Sequence, residues 1–96
     1  MPASKKSRSD ARQSARSKEN QRIVADLLRQ VREELGISQT ELGARLAKPQ
    51  SWVAKGERVE RRVDLLEALA ICDAMQYDPC ELIKRLRRAL KKADGH

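Results

Sequence analysis

A chain of 96 residues is long enough for one compact domain and leaves little for a second. Apolar residues make up 40% of the sequence but aromatic residues only 2%, so the core has to come from leucine, valine, isoleucine and alanine, which favours helices over strands. No stretch of about 18 apolar residues and no apolar signal core is present, so we expect neither a membrane span nor secretion.

The positive charge is concentrated at the two ends of the chain. The net charge is +7, yet residues 1–22 and residues 84–96 each carry a net charge of +5, which leaves the middle at −3. Basic segments bind polyanions because each neutralised phosphate releases condensed counterions. They also occur as tails that only keep a protein soluble, so charge alone leaves both interpretations open.

The two cysteines, Cys72 and Cys80, do not form a metal motif. They are eight residues apart, they lack CxxC spacing, and His96 is the only possible nitrogen ligand. This pattern excludes zinc, and nothing in the sequence indicates another metal or a cofactor. We expect both cysteines to be small, buried or half-buried hydrophobic residues in a reducing cytoplasm.

The chain begins with a basic arm and a first helix. Residues 1–20 contain no leucine, isoleucine, valine or aromatic residue, which predicts disorder. From about residue 21 apolar residues fall at helical spacing, and Gly36 is the expected C-cap. The basic residues of the arm are Lys5, Lys6, Arg8, Arg12, Arg16 and Lys18. The apolar stripe of the helix comprises Ile23, Leu27, Leu28, Val31 and Leu35.

A capping pattern marks the start of helix 2. The Ser38 hydroxyl can cap the helix while Glu41, three residues on, reaches back to the Ser38 amide. Ile37 can pack on Leu42 as a hydrophobic staple. We therefore expect helix 2 over about residues 39–46.

Helix 3 is short and mostly polar. Pro49 suits its first turn, so it should cover about residues 49–57 with Val53 as its main apolar anchor. Such a helix gains little from burial, and its exposed side chains must serve another purpose.

Two more helices complete an all-α chain. Asp64 with Glu67 opens helix 4, and Asp78 followed by Pro79 opens helix 5 over about residues 79–92. The expected core residues of helix 4 are Leu65, Leu66, Leu69, Ala70 and Met75. The apolar face of helix 5 comprises Leu82, Ile83, Leu86 and Leu90. No segment alternates like a strand, so we expect five short helices in residues 21–92 and a tail of residues 93–96.

Two segments resemble a known family: LRQVREELGISQTELGARLAKPQSWVAKGE and ERRVDLLEALAICDAMQYDPCEL. They are similar to the lambda repressor-like helix-turn-helix family, also called the Cro/C1 or XRE type. The resemblance covers residues 28–82 and rests on Ser-Gln opening helix 2, Glu-Leu at its middle, Val53 in helix 3 and Glu57 closing that helix. It implies a compact five-helix DNA-binding domain with the helix-turn-helix at about residues 38–57.

The chain departs from the family pattern around helix 3. The family usually has alanine where this chain has Gly43, and glycine where it has Ala47. Gly56 stands at a place that is normally large and apolar or aromatic, and Arg58-Val59 replaces a usual Ser-Gly or Asn-Gly turn. These departures predict a slightly different turn and a weaker end of helix 3.

The resemblance also implies which residues read the DNA bases. Gln50 and Ser51 occupy the leading positions of the recognition helix, and Lys55 lies about one turn further on. A glutamine amide pairs bidentately with adenine N6 and N7, and a lysine reaches guanine O6 and N7. Gln39 is similar to the family's phosphate-contacting glutamine and could brace Gln50 by a hydrogen bond. Considered alone, Gln50 would be an ordinary exposed helix residue.

Contacts to the DNA backbone are implied around the recognition helix and in the loop after it. Trp52 either packs its ring over helix 2 or places its indole N–H against a phosphate. For the loop arginines the alternative is a solvated charged loop balanced by Glu57 and Glu60. The candidates are Gln39, Arg45, Lys48, Trp52, Arg58, Arg61 and Arg62.

The sequence therefore predicts a regulator that binds double-stranded DNA, most simply a dimeric repressor in the cytoplasm that joins the nucleoid when bound. Leu82, Ile83, Leu86 and Leu90 offer a dimer interface that would place two recognition helices about 34 Å apart on a pseudo-palindromic operator. No combination of nucleophile, base and orienting group indicates an enzyme. One alternative is an antitoxin-type module that binds a toxin or another regulator as well as DNA. The other is nucleic-acid binding without sequence preference, with the arm as a mere solubilising tail.

Overall fold

The computed structural model describes residues 8–94, with side chains from residue 16 to residue 94. This part of the chain forms five helices: α1 (Arg8–Glu34), α2 (Gln39–Leu46), α3 (Gln50–Glu57), α4 (Leu65–Met75) and α5 (Pro79–Asp94). It contains no strand, so the all-α prediction is confirmed for these residues. α1 packs on α3 and α5, α2 packs on α3 and α4, and α4 packs on α5. The core comprises Leu27, Leu28, Val31, Ile37, Leu42, Val53, Ile71, Cys72, Met75 and Leu82.

α1 begins at Arg8, well before the start near residue 21 that the apolar pattern predicted. No glycine or proline interrupts residues 8–34, and their alanine, arginine, lysine, glutamate and glutamine extend a helix readily once a packed segment has nucleated it. The second half of the basic arm therefore continues α1, with Arg16 and Lys18 exposed. The predicted arm residues Lys5 and Lys6 lie outside the described residues.

The end of α1 has the predicted cap but a different inner face. Gly36 adopts a φ of 71°, where glycine carries no Cβ penalty. Leu35 of the predicted stripe is 46% exposed, while Arg32 is only 7% exposed. An arginine thus occupies part of the inward face of α1.

α2 has the predicted bounds and half of the predicted capping box. The Ser38 hydroxyl accepts a hydrogen bond from the Glu41 amide at 3.0 Å. The Glu41 carboxylate does not return to Ser38 but accepts from Arg45 at 2.6 Å. The ion pair along the helix replaces the reciprocal bond, and the cap holds with one bond only.

The turn between α2 and α3 is tight. Lys48 donates its amide to the Gly43 carbonyl at 2.8 Å, and Ala47 adopts the left-handed conformation that the family's glycine would take easily. A Cβ on Gly43 would lie 2.7 Å from the Lys48 carbonyl oxygen, so only glycine fits there. Pro49 is the N-cap, and α3 begins one residue later than predicted, at Gln50.

The predicted core face of α4 is wrong in most of its members. Asp64 caps the helix as expected, since its carboxylate accepts from the Glu67 amide at 2.8 Å. Met75 is buried, but Ala70 is exposed, and so are three leucines: Leu65 is 75% exposed, Leu66 76% and Leu69 44%. The helix turns Ile71 and Cys72 inward instead. Its sequence is apolar on nearly every side, so periodicity could not identify the inner face.

α5 begins at Pro79 as predicted and divides its apolar residues between the core and the surface. The Asp78 carboxylate accepts from the Cys80 amide at 2.9 Å, and Cys80 itself is exposed, against the expected burial. Leu82 is 6% exposed and belongs to the core, so it offers little surface to the predicted interface. Ile83 is 51% exposed, whereas Leu86 and Leu90 are half-buried. The inner side of α5 packs against α1, and only part of the predicted apolar face is left at the surface.

Candidate nucleic-acid interface

The outer face of α3 carries the three predicted base-reading residues. Gln50, Ser51 and Lys55 are exposed, while Val53 and Ala54 are buried on the opposite side. The spacing follows the helical repeat, which places residues one and four positions apart on adjoining parts of one face. α3 thus joins the core through a narrow apolar side and leaves a polar ridge free.

Gln50 forms the outer end of a hydrogen-bonded chain that begins in the core. Its Nε2 donates to Gln39 Oε1 at 2.6 Å, and Gln39 Nε2 donates to Glu57 Oε1 at 2.8 Å. Glu57 in turn pairs with Arg32 through two bonds of 2.7 Å and 3.0 Å. Arg32 also donates from Nη1 to the Ile37 carbonyl at 2.7 Å. The Gln39–Gln50 contact that the sequence suggested is present, and it is anchored to α1.

The inner part of this series of hydrogen bonds, the Arg32–Glu57 pair, is shielded from water. The Arg32 side chain is 9% exposed and that of Glu57 is 11% exposed. The hydrogen bond to Glu57 raises the pKa of Arg32 above its ordinary value, although burial acts in the opposite direction. Arg32 is therefore a permanent cation, and loss of the Glu57 carboxylate would leave its charge buried without a partner.

The connection to Arg32 was missed in the sequence, although a signal was present. Arg32 follows Val31 directly and lies four residues after Leu28, so it shares the inward face of helix 1. An arginine at such a position needs a buried acceptor. The acceptor is 25 residues away in the chain, beyond the reach of any local pattern.

Trp52 is held in a stack with two basic side chains. The guanidinium carbon of Arg61 lies 3.7 Å from the ring centroid, and Lys48 Nζ lies 5.4 Å from it. Arg61 also donates to the Trp52 carbonyl at 3.3 Å and 3.4 Å and pairs with Glu67 at 2.6 Å. A Cβ on Gly56 would lie 3.1 Å from Arg61 Nη2. A side chain at position 56 would therefore crowd the guanidinium of Arg61, which would have to shift slightly on the Trp52 ring.

The stack gives Trp52 a packing role. The ring is partly buried and packs against the core and the Arg61 guanidinium, while a contact of its indole N–H with a phosphate stays a prediction. Arg61, predicted as a phosphate contact, has a side chain only 22% exposed, and its donors are directed to Trp52 and Glu67.

Arg45, another predicted backbone contact, is exposed and forms two hydrogen bonds within the chain. It donates to the Ala74 carbonyl at 2.9 Å and to Glu41 at 2.6 Å. It connects α2 to the end of α4 rather than to α3. The sequence showed an exposed arginine near the recognition helix but not its direction.

The remaining loop arginines lie at the surface beside α1. Arg58 pairs with Glu60 through bonds of 3.0 Å and 3.2 Å, which raises the pKa of Arg58 and lowers that of Glu60. Arg62 donates to the Ser17 hydroxyl at 3.3 Å. The extension of α1 and the loop after α3 thus lie side by side and bring Lys18 close to both arginines.

The geometry defines the class of protein. Two short helices joined by a tight turn, with the second presenting an exposed polar face over an all-helical core, form a helix-turn-helix DNA-binding unit. No helix within residues 8–94 is long and apolar enough to cross a membrane. The same part of the chain has no cluster of histidine, cysteine or acidic residues that could hold a metal ion.

Comparison with known proteins identifies the family. The model of a helix-turn-helix domain family matches residues 23–84. A solved structure of an XRE-family like protein from Pseudomonas syringae pv. tomato str. DC3000 is 36% identical, with a TM-score of 0.72, and the match covers 83% of this chain and 96% of that one. No curated protein matches the sequence. The chain belongs to the XRE-type helix-turn-helix family, whose members are DNA-binding transcriptional regulators and generally not enzymes.

Proposed function

We propose that this regulator binds double-stranded DNA in a sequence-specific manner by placing residues 50–56 of α3 in the major groove. The observation that supports this most directly is the 2.6 Å bond from Gln50 to Gln39, which holds an exposed carboxamide in one position. The bond uses one of the two N–H groups of the amide, so the other N–H and the carbonyl oxygen are available. Adenine offers N7 as an acceptor and N6 as a donor to such a pair.

Ser51 and Lys55 extend the base contacts along the groove. Both are exposed on the same side of α3 as Gln50. A serine hydroxyl donates or accepts and so adapts to several bases, while a lysine favours the two acceptors of guanine. We therefore expect the half-site to combine an adenine with a neighbouring guanine.

Backbone contacts come from the residues around this face. Gln39 is the first residue of α2, so the backbone amides at this end of the helix can face a phosphate. The exposed basic side chains nearby supply positive charge. Arg45, Arg61 and Trp52 act in our proposal as supports of the interface, because their contacts are internal. The proposed backbone contacts are Gln39, Lys48, Arg58 and Arg62, with Arg16 and Lys18 of α1.

We further propose that two copies bind together through the surface between α4 and α5. Leu65, Leu66, Leu69 and Ile83 are the exposed large apolar residues there, and they line a groove of about 230 Å³. Apolar side chains grouped in this way usually mark an interface. The half-buried Leu86 and Leu90 adjoin it. A two-fold dimer would occupy an inverted repeat and act as a repressor by excluding other proteins from the same site. It would do so in the cytoplasm, where the bacterial chromosome lies.

Selection from random duplex DNA tests the base contacts. The unaltered protein should enrich an inverted repeat, and Gln50→Ala should lose the preference at one base of each half-site at a cost of about 1–3 kcal/mol. Gln30→Ala, an exposed glutamine on α1, is the matched control and should change neither motif nor affinity. Absence of any enriched motif would contradict sequence-specific binding. It would instead favour general nucleic-acid binding, in which affinity depends steeply on salt and not on sequence.

Sedimentation at several concentrations tests the dimer. Leu66→Glu should shift the protein towards monomer because it places a charge in the apolar surface, whereas Gln30→Glu should not. A protein that stays monomeric at every concentration would contradict the dimer. The exposed apolar surface would then favour the second candidate, an antitoxin-type module with another protein as its partner.

A further inference from the structure

The carboxylate of Glu57 lies between a permanent cation and the first of two glutamine amides. Its Oε1 accepts from Arg32 at 3.0 Å and from Gln39 at 2.8 Å, and its Oε2 accepts from Arg32 at 2.7 Å. We propose that Glu57 is a positioning residue that sets the polarity of the Gln50 carboxamide, meaning which of its sides carries the nitrogen and which the oxygen, and thereby its preference for adenine. This inference rests on the proposed function, because it concerns the selectivity of the same recognition helix.

The polarity follows from what each group can donate or accept. A carboxylate only accepts, so Gln39 has to turn its NH2 group towards Glu57 and its oxygen towards Gln50. Gln50 then has to turn its own NH2 group towards that oxygen. Each amide on its own could adopt either of two orientations. The negative charge at Glu57 removes that freedom from both.

The Glu57 carboxylate is held in its orientation by its hydrogen bonds. The two bonds from Arg32 fix the plane of its carboxylate, and Arg32 is fixed by its bond to the Ile37 carbonyl at 2.7 Å. Side-chain exposures of 9% for Arg32 and 11% for Glu57 leave little water to replace any of these bonds. The Arg32–Glu57 pair therefore joins α1 to the end of α3 through bonds that form within the protein itself.

The consequence appears at the edge of Gln50 that faces the groove. With its nitrogen towards Gln39, the amide presents one N–H and the carbonyl oxygen in a fixed order. That order matches adenine, where N7 accepts and N6 donates. A reversed amide would meet N7 with an acceptor, and it would favour a single N–H bond to a guanine oxygen instead.

The substitution Glu57→Gln reverses the polarity with little change in shape. The donors of Arg32 need an acceptor, so the introduced amide turns its oxygen to Arg32 and its NH2 group towards Gln39. Gln39 and then Gln50 have to turn over in response. We expect the preference for adenine over guanine at the contacted base to fall by at least about five-fold, the lower limit for a bidentate contact.

The measurement is a ratio of dissociation constants for two duplexes that differ at the base whose preference Gln50→Ala abolishes. Loss of stability or of active protein affects both duplexes equally and cancels in the ratio, so a merely structural role would leave it unchanged. The matched control is Glu34→Gln, which converts a carboxylate that pairs with Arg85 at 2.9 Å through both oxygens. This control should leave the ratio as it is.

A second comparison tests whether Glu57 acts through Gln39. Gln39→Ala should lower the adenine preference to a similar degree, and Glu57→Gln should have no further effect in that background. If Glu57→Gln alone leaves the ratio unchanged, or still lowers it after Gln39→Ala, the inference is overturned. Absence of any motif for the unaltered protein would instead refute the proposed function itself.

A double variant without the charges of Arg32 and Glu57 is a control for loss of folding. Because Glu57→Gln leaves Arg32 buried beside a neutral group, it could prevent folding. The double substitution Arg32→Met and Glu57→Met removes both charges, and apolar replacements of buried ion pairs usually keep a protein folded. It should lose the adenine preference as well, and a folded double variant that retains the preference overturns the inference.

Discussion

Gly43 is expected to resist replacement by alanine, although the family usually has alanine at this place. An added Cβ would lie 2.7 Å from the carbonyl oxygen of Lys48 and 3.3 Å from the carbonyl carbon and oxygen of Pro49. These are backbone atoms, and the bond of 2.8 Å from the Lys48 amide to the Gly43 carbonyl holds them there. The turn cannot open without weakening that bond.

Two opposing contributions set the size of the effect of Gly43→Ala. Alanine is more favourable than glycine inside a helix by about 1 kcal/mol, while overpacking against fixed neighbours costs about 1–3 kcal/mol. Since backbone atoms are the neighbours, the upper part of that range applies, and the free energy of unfolding should fall by about 1–2 kcal/mol. The melting temperature should then fall by roughly 4–16 °C.

Thermal unfolding followed by circular dichroism measures this change. Ala44→Gly, at an exposed position of the same helix, is the control for intrinsic helix preference and should cost about 1 kcal/mol. If Gly43→Ala melts at the same temperature as the unaltered protein or above it, helix preference outweighs the contact with Lys48. Such a result would show that the turn accommodates a Cβ at position 43 and would contradict the prediction.

The same turn predicts that Ala47 and Gly43 are coupled. Ala47 has φ 57° and ψ 42°, a left-handed conformation that costs an L-residue about 1–2 kcal/mol. Ala47→Gly should therefore stabilise the protein by about 0.5–1 kcal/mol after the entropy of glycine in the unfolded chain is subtracted. The freed turn should also make Gly43→Ala less harmful, with a coupling of at least about 0.5 kcal/mol. Additive effects would show that position 47 does not control the turn.

Three further predictions concern other parts of the molecule. Val59→Gly should raise the melting temperature by an amount equivalent to about 0.5–1 kcal/mol, because Val59 has φ 61° and a β-branched residue is strained there. Arg85 holds the pKa of Glu34 below its ordinary value of 4.5, so the stability from this pair is present above that pH and is lost as pH falls through the lower folded pKa. Urea denaturation at decreasing pH should therefore show a shallower acid loss for Glu34→Gln than for the unaltered protein. A thiol reagent should modify Cys80 quickly and Cys72 only on unfolding, because burial shields Cys72 and raises its pKa, and Cys80→Ser should abolish the fast reaction.

Local capping signals predicted the starts of α2 and α4 and the end of α1. The caps at Ser38 and Asp64 bond to amides three residues ahead, and the stop at Gly36 depends on its own φ. These features are determined within one turn of chain, where sequence and structure have the same neighbours. The start of α1 was predicted too late because the pattern marks burial, and the helix continues past the buried segment as far as Arg8.

Features that depend on distant partners could not be predicted. In α4 the apolar residues surround the helix, so its rotation is decided by α2 and α5 rather than by its own period. Leu65 and Leu66 are consequently exposed, while Ile71 is buried. Arg61 was expected beside DNA but lies on Trp52, a contact that the sequence did not indicate.

Stability alone does not account for the buried pair of Arg32 and Glu57. Two charged side chains at 9% and 11% exposure lose their hydration, and apolar residues in such places often give a protein that is equally stable or more stable by about 1–4 kcal/mol. An apolar contact would hold α1 against α3 equally well. It would not determine which end of the Gln39 amide faces outward, whereas a carboxylate that accepts from that amide at 2.8 Å does. Because a glutamine distinguishes bases only when its nitrogen and oxygen have fixed places, the charge at Glu57 supplies a direction that hydrophobic packing lacks.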